Sequence, residues 1–193
     1  QPEHVLTLGL SLPESKYPTT EAINNFHTRT LERVAALPGV EAVGLISKLP
    51  VADYGYNGSV EIVGQTPPPL GREVYVEYRA VSPAYFQTLG VPLVAGRLLE
   101  ARDQADSARV VLVNQTFAKT LVNDQQAVGK TIVYDDQKFQ IVGVVGDVRQ
   151  SGLTQPARPE LYWPYTQAVD DGLRRSVSLV LRAAGEPLAL TSA

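Results

Sequence analysis

Residues 4–12 read HVLTLGLSL, an alternation that gives a strand one buried face. The same alternation returns at residues 73–81 (EVYVEYRAV), and residues 40–47 (VEAVGLIS), 138–145 and 176–182 (SVSLVLR) also read as strands. Only one long stretch carries the helical period instead, with Ile23, Phe26, Thr30, Val34 and Leu37 on one face. Thr19 or Thr20 supplies a cap for it, and Pro38-Gly39 stops it. Many short strands and few helices must bury their apolar faces against each other, which predicts the α+β class. Strand, helix and strand within residues 4–47 predict a βαβ-like or split βαβ unit.

The composition changes after Pro50. Residues 51–58 (VADYGYNG) read as a Tyr/Gly loop, 59–63 as a short strand and 64–71 as a proline-rich loop. Ser82-Pro83 is expected to open a short helix, with Ser82 as its cap and Gly90 ending it. A buried strand follows at 109–113, and Asn114 caps a helix over 115–122. Residues 130–134 and 138–145 read as a hairpin turning at Asp135-Asp136-Gln137. Pro156, Pro159 and Pro164 frame a further strand at 160–163.

Charge and composition exclude several function classes. A net charge of −3 and a pI near 5.4 argue against nucleic acid, which needs a basic face to replace phosphate counterions. Cysteine is absent, which excludes disulfides, thiolate catalysis and Cys-ligated zinc. No apolar run approaches the roughly 20 residues that span a bilayer. The chain begins at Gln1 and holds no Met, so it is expected to be excised from something longer, with a membrane segment just outside it.

The motifs that spell known chemistry are incomplete. Gly129-Lys130-Thr131 ends like a P-loop, but the Gly that should stand five residues earlier is Asp124. The order is also inverted, because a β-branched run follows the tripeptide where a phosphate-binding helix should begin. Gly129 is therefore expected to supply a turn and Lys130 to enter a strand. Gly143-x-x-Gly146 is half of a dinucleotide fingerprint, with no helix after it; its glycines are expected to permit close packing or a bulge. The two histidines, His4 and His27, sit in a strand and beside the apolar face of a helix, and make neither a triad nor a metal set. Asp135-Asp136 and Asp170-Asp171 read as solvated turns. These residues predict no catalytic, cofactor or metal site. Tyr54, Tyr56 and the prolines Pro67 and Pro68 put aromatic and rigid groups on loops, and are the candidate partner-contact residues. Packing of the tyrosines on the core is the competing reading.

Four stretches taken together resemble one family. They are YRAVSPAYFQTLGVPLVAGR (78–97), VVLVNQTFAKTL (110–121), VGKTIVYDDQKFQIVGVVGDVRQSGL (128–153) and RPELYWPY (158–165). Their order and spacing resemble the MacB-like periplasmic core domain of FtsX-like ABC transporter permeases, most of all those without a fused ATPase. The resemblance implies a porter-like βαβ subdomain built from residues 1–50 and 154–193, with a strand-rich, sabre-like subdomain of residues 51–153 inserted. It implies a non-catalytic domain held on the periplasmic side of the membrane between two transmembrane helices. The implied partners are those helices, a separate cytoplasmic ATPase subunit, a second copy in the full-length permease and a periplasmic protein. No cofactor is implied. The alternative is a soluble α/β enzyme or nucleotide-binding protein that uses the glycine stretches.

One expectation concerns the end of the chain. Residues 186–191 begin like a helix, with Pro187 near the first turn, and stop after about two turns. The chain is expected to break off within the porter-like subdomain and to leave a sheet edge or apolar strip uncovered.

Overall fold

The computed structural model of the chain describes residues 4–50, 56–69, 71–72, 74–122, 126–149 and 155–185. β1 (Val5–Ser11) leads into α1 (Thr20–Ala35) and β2 (Val40–Ile46). Thr19 is the cap: its backbone is extended, and its hydroxyl accepts the Ala22 N–H at 3.1 Å. Glu21 in the first turn and Arg33 in the last oppose the helix dipole favourably. Gly39, at φ 83°, takes the left-handed turn that returns the chain to β2.

The remaining elements are β3 (Tyr56–Ser59), β4 (Glu61–Ile62), β5 (Tyr75–Val81), α2 (Tyr85–Leu89), β6 (Leu93–Gly96), β7 (Val110–Asn114), α3 (Gln115–Val122), β8 (Thr131–Tyr134), β9 (Gln137–Val145), β10 (Glu160–Pro164), α4 (Gly172–Arg175) and β11 (Ser176–Ala183). They form one mixed sheet in the order β1-β11-β2-β5-β10-β7-β9-β8-β4, with β3 added to β5 and β6 to β9. β5 and β10 run parallel, as do β7 and β9, and the other neighbours are antiparallel. β11 lies between β1 and β2 and is antiparallel to both, so β1-α1-β2 is a split βαβ unit. The fold is α+β, as the strand periods predict.

Side-chain alternation divides the core between the two faces of the sheet. Leu161 and Trp163 of β10 point to one face and Tyr162 to the other. Trp163 is fully buried among rings, with centroids 5.0 Å from Tyr78, 5.2 Å from Tyr134 and 5.8 Å from Phe139. The opposite face centres on Tyr85 and Phe86 of α2 against Tyr162, Ile46 and Val180.

The hairpin β8–β9 turns on Asp135 (φ 50°) and Asp136 (φ 57°), both left-handed, with Tyr134 registered on Gln137. Two positive φ angles in a two-residue loop match the twist of the strands. Asn114 caps α3 as expected, its Oδ1 accepting the Phe117 N–H at 2.8 Å. Two local expectations are corrected. Residues 59–63 are not one strand: β3 pairs with β5, β4 pairs with β8, and the chain changes neighbour at Val60, which packs on the core. Ser82 does not cap α2, which begins behind Ala84 with no side-chain cap. Its hydroxyl is committed to the Leu45 N–H instead, at 2.9 Å. The expected helix start at 186–191 lies outside the described residues. At the margin of the sheet, β1 pairs only with β11 among the described residues, and Leu8 is 44% exposed.

His27, beside the apolar face in sequence, is fully buried in the structure. Its Nε2 stands 2.6 Å from the Arg174 carbonyl oxygen. A carbonyl only accepts, so Nε2 carries the proton and the buried Nδ1, which has no partner, is the lone-pair nitrogen. Protonation would place a second N–H there without an acceptor. Burial accordingly lowers the His27 pKa below its ordinary value, against a smaller rise from the bond to Arg174. Because the unfolded imidazole (pKa about 6.5) binds a proton before the folded one, stability is full above that pH and is lost as pH falls through it. Urea unfolding at pH 7.5 and 5.5 should show a steeper loss in the parent than in His27→Leu. Equal slopes would contradict this assignment.

Candidate functional site

The tripeptide Gly129-Lys130-Thr131 turns into a strand. Gly129 has φ 91°, its N–H bonds to the Ile141 carbonyl at 2.8 Å, and β8 begins at Thr131. What a phosphate would meet here is strand backbone already engaged with β9. Gly143 lies buried in β9 where β7 shifts register against it, and it pairs with Gly96 of β6. A Cβ on Gly143 would stand 2.2 Å from the Arg97 carbonyl oxygen, so the glycine serves close packing.

A second cluster is ionic and buried. Glu77 and Arg79 of β5 share a sheet face with Glu160 and Tyr162 of β10, and the parallel register sets Glu77 beside Glu160 and Arg79 beside Tyr162. Two carboxylates placed side by side repel, and Arg79 bridges them. Its Nε is 3.1 Å from Glu160 Oε1 and its Nη2 3.3 Å from Glu77 Oε2. The Tyr162 hydroxyl donates to Glu160 Oε2 at 2.5 Å. Burial first, and the Glu160 charge second, push the Tyr162 and Tyr85 hydroxyls well up, so both stay neutral. Arg79 and Glu160 are 0% and 1% exposed, and these groups are closed off from any substrate.

Of the candidate contact residues, Pro67 and Pro68 line one groove, and Tyr56 is not among its lining residues. Tyr54 lies outside the described residues. Tyr56 is half-buried in β3, its ring stacked on Tyr78 at 5.9 Å and 11°, with the Lys48 Nζ 5.6 Å above it. Its ring is thus largely occupied by packing. Pro67 and Pro68 are exposed and line a groove of about 330 Å³, together with Ile62, Val63, Val74 and Leu121. Val63 is 53% and Val74 39% exposed, and the neighbouring Tyr75 is 65% exposed. Sequence reasoning missed these three. Val74 and Tyr75 are successive residues of an alternating segment, and an edge that exposes both parities leaves no periodic signal. A separate cleft of about 660 Å³ is lined by Tyr78, Tyr134, Asp135, Asp170 and Asp171, which joins the two acidic turns in space. There Asp171 holds Arg174 at 2.7 Å and the Thr20 hydroxyl at 3.0 Å, while Asp170 accepts the Gly172 N–H at 2.6 Å. Two of the three aspartates thus hold the turn into α4.

The sequence of the MacB-like periplasmic core domain matches residues 10–189. This chain belongs to that family. The solved periplasmic region of MacB from Actinobacillus actinomycetemcomitans superposes with a TM-score of 0.65 at 17% identity, over 98% of this chain and 80% of that one. The extracellular domain of the noncanonic ABC-type transporter YknZ from Gram-positive bacteria superposes at 0.59 with 12% identity, over 97% and 88% of the two chains. These likenesses show the same fold. Among curated relatives, the macrolide export ATP-binding/permease protein MacB of Bradyrhizobium diazoefficiens is 26% identical over 181 residues, 85% of this chain and 27% of that protein. The MacB of Aggregatibacter actinomycetemcomitans is 30% identical over 86 residues, 45% of this chain and 13% of that protein. The chain therefore spans about a quarter or less of the curated relatives it matches. The glycine motif and the acidic turns are thus parts of the scaffold, and the groove at Pro67 and Pro68 is an exposed apolar surface. No helix among the described residues is long and apolar enough to cross a membrane.

Proposed function

We propose that this domain stands on the outer face of the bacterial cytoplasmic membrane, between two transmembrane helices of an ABC-type permease. There it transmits conformational change and performs no catalysis. The family match over residues 10–189 carries this reading. ATP would be hydrolysed by a separate cytoplasmic subunit, and two copies of the domain would stand side by side in the full-length permease. The transmitted motion is a rigid-body displacement of packed elements, the porter-like part (1–50 and 154–193) carrying the inserted part (51–153) with it. The groove at Pro67 and Pro68 would touch the transported molecule or a periplasmic partner, with Tyr54 and Tyr56 nearby on the chain. Its exposed Val63 and Val74 support that use.

Calorimetric titration with ATP separates this reading from a nucleotide-binding one. The parent domain should give no saturable heat. Lys130→Ala should change unfolding by no more than about 0.5 kcal/mol, as substitutions of half-exposed strand-entry residues do. A saturable ATP affinity that disappears in Lys130→Ala would overturn the proposal. The coding sequence on both sides offers a second check, because the proposal requires an apolar run of about 20 residues on each side.

A further inference from the structure

The sheet has a narrow point. On one side stand β1, β11 and β2; on the other stand β5, β10, β7, β9, β8 and β4. β11 registers along the length of β2, and β5 along β10, but β2 and β5 share only the pair Ile46–Val81. Both strands end there, antiparallel and overlapping tip to tip, so the two parts of the sheet extend away from each other along the strand direction.

The hydrogen bonds at that overlap follow an unusual exchange. Ser47 N–H donates to the Ala80 carbonyl at 2.9 Å, and Ser82 N–H donates to the Leu45 carbonyl at 3.0 Å. In a continuing antiparallel ladder each would be answered by a bond to the serine's own carbonyl. Here the serine side chains answer instead. Ala80 N–H donates to Ser47 Oγ at 3.1 Å, and Leu45 N–H donates to Ser82 Oγ at 2.9 Å. Leu45-Ile46-Ser47 and Ala80-Val81-Ser82 are therefore related by a local two-fold about the Ile46–Val81 pair. Each chain leaves its strand at the serine, and the hydroxyl supplies the acceptor that the departing backbone withdraws. All six residues are buried, from 0% to 3% exposed, so an unanswered N–H would be a buried loss.

We propose that this serine exchange is a lock, which joins the two parts of the sheet at their narrowest contact and makes them move as one body. Without the hydroxyls the rung is left with two of its four bonds, and the core of Tyr85 and Phe86 against Ile46, Val180 and Tyr162 holds the joint less stiffly, so the parts vary more in their relative angle. Use of the lock in transmission rests on the proposed function above; the lock itself does not, and the experiment reads only the joint.

The chain holds no cysteine, so paired labels can be introduced cleanly. Arg29→Cys on α1 and Lys138→Cys on β9, both exposed, carry spin labels on opposite sides of the joint. In Ser47→Ala/Ser82→Ala the inter-label distance distribution should broaden. Exchange of the Leu45 and Ala80 amides should accelerate about tenfold, the factor that one ordinary lost hydrogen bond corresponds to. Amides of β7 and β9 should keep their protection. Ser82→Ala alone carries the same test if the double variant does not fold. Ile132→Ala, in β8 and far from the joint, serves as a control matched for loss of stability. An unchanged distance distribution in the serine variant overturns the proposal, and so does equal broadening in the control.

Discussion

Arg79→Leu should cost the domain about 3–5 kcal/mol, the range for removing one partner of a buried ion pair. The side chain is 0% exposed, and it bridges Glu160, itself 1% exposed, to Glu77. Deleting the guanidinium takes the bridging cation away from Glu160, a buried carboxylate beside a second one, whose Oε2 accepts the Tyr162 hydroxyl at 2.5 Å. Glu77 is better placed, since its side chain is 12% exposed and lies 3.6 Å from Arg158 Nη1. Most of the cost therefore falls on Glu160. Arg79→Leu/Glu160→Gln should recover a large part of the loss, because it removes both charges of the pair. Urea unfolding of the two variants and Glu160→Gln closes the cycle. A single Arg79→Leu variant within about 1 kcal/mol of the parent would show that the pair is not uncompensated when broken.

Gly143→Val is the second large expected effect, on the order of 3 kcal/mol. Its Cβ would stand 2.2 Å from the Arg97 carbonyl oxygen and 2.9 Å from Leu112 Cδ2. The carbonyl cannot retreat easily, because the Arg97 N–H is bonded to the Val142 carbonyl at 2.9 Å on the same rung. For a domain of this length, that loss lowers the melting temperature by roughly 6–12 °C. Gly146→Ala should be much milder, since its Cβ would meet side-chain carbons, those of the Pro92 ring at 3.1 Å and Val91 Cγ1 at 3.6 Å, and no backbone carbonyl at 2.2 Å. Melting of Gly143→Val at the parent temperature would contradict the packing role.

What the sequence reveals here is what short stretches determine locally. The Thr19 cap, the Asp135-Asp136 turn, the Asn114 cap and the Gly129 turn depend on neighbours within a few residues, and each stands where its local chemistry puts it. The buried ion network depends on β5 meeting β10, some 80 residues later in the chain, and no local pattern announces that pairing. One signal was present: Glu77 and Arg79 share strand parity with Val81, so alternation alone sets charges on an apolar face. Ser82 shows the reverse error. Its cap-and-proline context favours a helix start, but a long-range strand end had greater need of the hydroxyl. Of the candidate contact residues, Pro67 and Pro68 line an open groove as their rigidity suggests, whereas Tyr56 lies stacked on a core tyrosine that the sequence does not reveal as its neighbour.

The central claim is that this domain faces outward from a cytoplasmic membrane as part of a larger permease. Because these 193 residues contain no cysteine, an exposed position such as Lys138 can be changed to cysteine in the full-length protein and read against the unmodified protein. Intact cells with a permeabilised outer layer are treated with a maleimide that does not cross the cytoplasmic membrane. The account predicts labelling of Lys138→Cys in intact cells, to the extent seen after lysis. Labelling only after lysis would place the domain inside the cell and contradict the account.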